Sequence, residues 1–240
     1  MFPYDSQLLT ILETPPASIA DVLVAMRAID AATVDGDGLK WFNWLYFQVT
    51  QAVEARVALG GFSDAIFLSE LDVQFAQLYF NSLRNFLSSA ALPDCWQALF
   101  SQRNQTALAR IQFALAGINA HINHDLPIAI VSTCQLESLS PQHTTTQYTD
   151  YTSLNITLDS LVEEAKQTLN VGLLGDALPD LSQLENTIAA WSVSAAREAA
   201  WNNAELLWHL RPEAGLTAAF LDTLDGLTTV VGKGLLIPIS

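Results

Sequence analysis

The stretch "GINAHINHDLPIAI", residues 117–130, places two histidines, two asparagines and an aspartate within the seven positions from Asn119 to Asp125. The runs "FALAG" and "LPIAI" on either side are oily. The spacing predicts a central helix. On it, His121 and Asp125 are four apart and share one face about one turn from each other, with Gly117 a turn earlier. A glycine there lets a partner helix or a ligand come close. Asn119 and Asn123 form a second four-spaced pair rotated around the axis, and His124 stands beside Asp125. Pro127 donates no backbone hydrogen bond and crowds the carbonyl of Asn123, so the helix is expected to be interrupted and nearby carbonyls to need other partners. Buried polar groups are costly unless satisfied, which makes this cluster a candidate site.

Outward from it, the chain reads as helical almost throughout. Ser18 is expected to cap a helix to about Ala32, and "DGDG" at 35–38 breaks the chain before a helix from Leu39 to about Leu59. Gly60 and Gly61 end that helix. Ser63 or Asp64 opens the next, to about Ser89, and Pro93-Asp94 opens a short one. The central helix is expected from about Asn104, and the polar residues 132–148 are expected to form a long surface loop. Helices from Thr149 to Leu169, Leu181 to Leu210 and Glu213 to Val231 follow, with the loop "NVGLLGDALPD" between the first two. The expected architecture is an all-α, single-domain bundle of about eight helices spanning residues 1–240.

The bulk composition supports one large core: 50% of the 240 residues are hydrophobic and 15% are charged. The net charge of −15 repels phosphate backbones and anionic lipid, so neither nucleic acid nor a membrane is expected as a partner. No run reaches the roughly 20 apolar residues of a spanning helix. The start has no basic segment, so a secretory signal is not expected. Cys95 and Cys134 read as buried apolar fillers, and a cytoplasmic location is expected. The sequence has no phosphate-cradling glycine loop, no G-x-S-x-G elbow, no H-E-x-x-H pair, no C-x-x-C and no Asp-rich magnesium motif.

A second cluster lies in "AAREAAWNNAELLWHL". Arg197 and Trp201 fall on one helical stripe, and Glu198 lies alongside in an alanine-rich setting. A buried arginine needs a partner, and Asp125 or Glu198 is the expected one. In "WFNWLYF", Asn43 and Tyr46 are positioned to line a pocket.

"GINAHINHDLP" resembles the signature of a bacterial and fungal family of unknown function, N-A-H-I-N-x-D-L-P in general form. The runs "LDVQFAQLYFNSL", "PDCWQALF" and "AAREAAWNNAELLWHLR" are similar to that family's recurring blocks, so the resemblance spans about residues 40–211. More distantly, "HINHD" is similar to the His-x-x-x-Asp zinc-ligand pair of zinc-dependent phospholipase C and related nucleases. That resemblance implies a metal-dependent hydrolase with His121 and Asp125 as ligands. Those sites use a further histidine soon after the aspartate, where this chain has Val131. In "QYTDYTSLN", Gln147 stands where the unknown-function family often carries a histidine before residues matching Asp150, Tyr151 and Asn155. With four histidines in the chain, a single divalent metal is the most the resemblance leaves, and no cofactor is favoured.

The expectation is therefore an enzyme of isomerase, cyclase or lyase type with an apolar pocket for a small hydrophobic molecule. His121, Asp125 and Glu198 would be catalytic, with His121 as general acid/base oriented by Asp125. Asn119, Asn123, His124, Arg197, Trp201, Asn43 and Tyr46 would bind substrate, Arg197 with Glu198 fixing a polar or anionic group. A metal-dependent hydrolase and a non-catalytic binding protein for an apolar ligand are the two rivals.

Overall fold

The computed structural model describes residues 2–169 and 192–238. The expected loop "NVGLLGDALPD" and the first part of the helix placed at 181–210 lie outside these residues. In chain order the helices are α1 (Asp5–Ile11), α2 (Ile19–Ala32), α3 (Gly38–Ala58), α4 (Ala65–Leu87), α5 (Asp94–Phe100) and α6 (Arg110–Ala120). A π turn (His121–Asp125) follows, then α7 (Leu126–Leu136), α8 (Thr146–Ser153), α9 (Asn155–Leu169), α10 (Val193–Leu210) and α11 (Ala214–Leu235). Among the described residues there is no strand, and no helix is long and apolar enough to cross a membrane.

The centre of the molecule is the rod formed by α6, the π turn and α7, about 40 Å long at 1.5 Å per residue. From residue 111 to 131 every side chain is buried except Asn123 and Ile128. A helix apolar on all sides must be covered on all sides. α3 and α11 pack on α6, while α4 and α10 pack on α7. α3 and α6 run in parallel at unusually close range. A Cβ on Gly117 would lie 2.3 Å from ring atoms of Phe42, and one on Gly38 would lie 2.3 Å from ring atoms of Phe113, so each helix seats a phenylalanine of the other.

Pro127 does not interrupt the rod. The Leu126 amide donates to the His121 carbonyl five residues back, and this widened turn carries the chain into α7 with Pro127 in its first turn. Local chemistry also shifts other expected boundaries. α7 runs on to Leu136 because Thr133 and Cys134 are buried, and Thr145 starts α8 by accepting the Tyr148 amide, so the polar loop shrinks to residues 137–145. Gln112 accepts the Ala109 amide (2.8 Å) and starts α6 later than Asn104. The short α1 is an addition, started by Asp5 accepting the Phe2 amide (2.9 Å), so the described residues hold more helical segments than eight. Cys95 and Cys134 are buried free thiols.

One buried ion cluster ties the N-terminal end to the bundle. Arg103 donates from Nε to Asp37 Oδ1 (2.9 Å) and from Nη1 to Asp5 Oδ1 (3.0 Å), and its Nη2 pairs with Asp37 Oδ2. The Tyr4 hydroxyl donates to Asp37 Oδ2 (3.0 Å), and Asp37 also caps α3 through the Leu39 amide (3.0 Å). Burial and the Asp37 charge push the Tyr4 phenol up to about 12.

Candidate functional site

The π turn presents His121, His124 and Asp125 to one another. His121 Nδ1 lies 2.9 Å from Asp125 Oδ2, and His124 Nδ1 lies 2.7 Å from Asp125 Oδ1. Trp96 of α5 donates its indole N–H to Asp125 Oδ2 at 2.9 Å. Burial opposes ionisation of Asp125, but hydrogen bonds from the two imidazoles, with the charge of His124, outweigh it and hold its pKa below the usual carboxylate value. An ionised carboxylate only accepts, so both Nδ1 atoms carry the hydrogen and donate.

The two histidines then diverge. For His124, burial opposes protonation, yet the hydrogen bond and charge of Asp125, with Asp225 behind, raise its pKa and favour the imidazolium. For His121, burial prevails over Asp125 and the pKa falls. His121 is thus neutral, with its Nε2 lone pair pointing away from the aspartate. Nε2 is fully buried and has no hydrogen-bond partner among the described residues.

The imidazole sits among aromatic side chains. The Phe75 ring lies flat on the imidazole, 3.4 Å between centroids and 5° between planes, and Tyr46 meets it at 4.5 Å. A cavity of about 40 Å³ adjoins it, walled by Phe42, Tyr46, Phe75, Ile118, His121 and Arg197 among others. A second cavity of about 40 Å³ shares Tyr46, Val49, Phe75, Leu158 and Arg197, and adds Asp72 and Tyr151. Asp72 Oδ2, on these walls, is buried and lacks a partner among the described residues, and the Tyr46 hydroxyl has only the Thr50 side chain for a partner. Burial, reinforced by Glu54, pushes the Asp72 carboxyl up to about 7. Burial and then the Asp72 charge raise the Tyr46 phenol well above its usual value.

Arg197 is buried and lines both cavities. Its expected partners are not its partners. Nε donates to Asn155 Oδ1 (2.8 Å), Nη2 donates to the Tyr151 carbonyl (2.8 Å), and the guanidinium lies 3.8 Å over the Tyr151 ring. Glu198 is turned elsewhere. One residue is about 100° around a helix, and this step carries Glu198 to the surface, where it accepts from Tyr148 (2.7 Å) and pairs with His143 (3.2 Å). A catalytic role for Glu198 at the His121 cavity is therefore corrected.

Asn119 donates to the Thr228 carbonyl (2.9 Å) and accepts from Asn123 (3.0 Å), so this pair fastens the rod to α11 rather than facing the cavities. Asn43 donates to the Met26 carbonyl (3.0 Å) and likewise serves the core. His124 and Trp201 do not line the cavities. Trp201 packs on Tyr148 and Tyr151 with its indole N–H buried and unpartnered. The expected residues that meet at the cavities are His121, Tyr46 and Arg197, with Asp125 directly behind His121. Asp72, Phe75 and Trp96 are additions that periodicity alone does not single out. Among the described residues, no three His, Cys, Asp or Glu side chains are grouped to hold a metal ion.

No curated protein and no solved structure matches the chain. Residues 19–238 match a family of unknown function, DUF5995, and the chain belongs to that family.

Proposed function

We propose that the protein is an enzyme that moves a proton on a small, mostly apolar molecule, as isomerases, cyclases and lyases do. One observation carries this reading. The imidazole of His121 is buried and neutral, its Nδ1–H is committed to Asp125, its Nε2 has no partner among the described residues, and the side chain lines a cavity. That is the arrangement of a general base whose conjugate acid is stabilised by a carboxylate held ready behind it. His124 and Trp96 keep Asp125 ionised and oriented, Tyr46 offers an O–H group beside the imidazole, and Asp72 in the adjoining cavity, with its carboxyl raised to about 7, holds a proton in part of the molecules at neutral pH. The two cavities are much smaller than the pockets that enclose whole ligands, so substrate enters by displacing Phe75, which is partly exposed. The reading requires no cofactor.

The test works with an unidentified substrate. The protein is incubated with a small-molecule cell extract in D2O, and mass spectrometry follows deuterium uptake. The expected result is protein-dependent labelling of a compound, abolished by His121→Gln and slowed about a hundredfold or more by Asp125→Asn. Labelling that survives His121→Gln would overturn the role of this imidazole. A ligand that co-purifies and is recovered unchanged, with no exchange, would show a carrier instead.

A further inference from the structure

We propose that the ligand of this site is a small apolar carboxylic acid, bound as its monoanion with the carboxylate on Arg197. The inference takes from the acid–base reading only the position of the site. Arg197 carries a guanidinium into the interior, where it forms no ion pair with a carboxylate of the described residues. Its hydrogen bonds go instead to the amide oxygen of Asn155 and the carbonyl of Tyr151. Both are neutral. Asp159 supplies only a longer-range attraction, and its carboxylate already accepts the Ser194 hydroxyl (2.5 Å). A buried charge without a counter-charge is costly, and arginine is the side chain whose geometry best matches a carboxylate.

The rest of the wall fits the same guest. Beyond Arg197 the cavities are lined by Val49, Ile118, Leu158, Val162 and Phe75, which suit an apolar body. One cation with no carboxylate partner among the described residues balances one negative charge. A phosphate dianion would leave surplus charge facing Asp72, whereas a monocarboxylate leaves none. Anchoring the carboxylate at Arg197 turns the remainder of the molecule toward His121, which lines the same cavity.

The probe pair is 4-fluorobenzoate and 4-fluorobenzamide, nearly equal in shape and different in charge, with binding to the full chain followed by fluorine NMR. The acid is expected to bind about tenfold or more tightly than the amide. Arg197→Gln should erase that preference, and Arg197→Lys should keep part of it while preserving the charge. Phe75→Ala, which widens the entrance, should strengthen binding of both probes. Equal binding of acid and amide, no binding of either even to Phe75→Ala, or a preference that persists in folded Arg197→Gln would overturn the proposal. The comparison within the wild-type protein stands even where a variant fails to fold. His121→Gln separates the two readings. Acid binding that remains in this variant is expected whether or not the imidazole transfers protons, and deuterium exchange without any acid preference would sink this inference alone.

Discussion

The molecule contains two buried clusters of charged and polar groups, built on opposite terms. Around Arg103, both carboxylates, the Tyr4 hydroxyl and the Leu39 amide meet a partner within 3.0 Å. A cavity of about 270 Å³ borders Asp5 and Arg103, yet these side chains keep their hydrogen bonds to one another. Around His121, its Nε2 nitrogen and one Asp72 oxygen are buried and unpartnered among the described residues, and both side chains border adjoining voids. Both clusters are poor in solvent and both contain ionisable side chains. Burial of charge therefore does not by itself mark a site; unspent hydrogen-bonding capacity converging on a void does.

The widest contrast should appear in stability. Arg103→Met strands two buried carboxylates and is expected to lower the unfolding free energy by about 3–5 kcal/mol in urea titrations, leaving exchange activity per folded molecule intact. His121→Gln should do the reverse. Equal losses of stability in the two variants would erase the distinction.

The next effect is one of pH. Folding raises the Asp72 carboxyl to about 7, against about 3.9 in an unfolded chain, so the folded state holds this proton more tightly. The associated stability is fully present below about pH 3.9 and is lost as pH rises towards 7. Its size is on the order of 4 kcal/mol. Asp72→Asn cannot ionise, so the variant should lose less stability than the wild type between about pH 5 and pH 8. Identical pH profiles would place the carboxyl in a more solvated setting.

A third test concerns the support of the site. Gly117→Ala forces a methyl group into the Phe42 ring, and overpacking of this kind costs about 1–3 kcal/mol. Since Phe42 also borders the His121 cavity, exchange activity should fall along with the melting temperature. The smallest effect is expected from Tyr46→Phe. Removing a buried hydroxyl whose one side-chain partner is Thr50, a turn away on the same helix, should change stability by no more than about 1 kcal/mol, while turnover slows. A much larger loss of stability with turnover unchanged would make that hydroxyl a structural group.

Much of the helical plan is readable from local chemistry. Ser18 and Asp64 cap their helices as their side chains imply, and Gly60 ends α3 with a φ of +66°. The His121–Asp125 spacing likewise points to two side chains that do meet. Less legible are features decided by distant neighbours. Arg103 finds Asp37 and Asp5 across 66 and 98 residues, which no local period encodes. Residues 132–136 look like loop by composition, yet burial of Thr133 and Cys134 against the bundle keeps them helical. Asp72, Phe75 and Trp96 sit on helices apolar over several faces, where spacing does not reveal which side chain looks towards the imidazole. Arg197 and Glu198 are adjacent in sequence, but the pitch of α10 sends one inward and the other out.

The π turn links the fate of the chemistry to that of the architecture. A widened turn amounts to one surplus residue threaded into an otherwise regular coil, and excising a single residue from 121–125 would restore ordinary winding. That repair would rotate α7 by roughly a quarter-turn against α4 and α10 and pull the imidazoles off their shared carboxylate. A chain shortened by that residue would lose the seating of α7 together with the meeting of His121, His124 and Asp125.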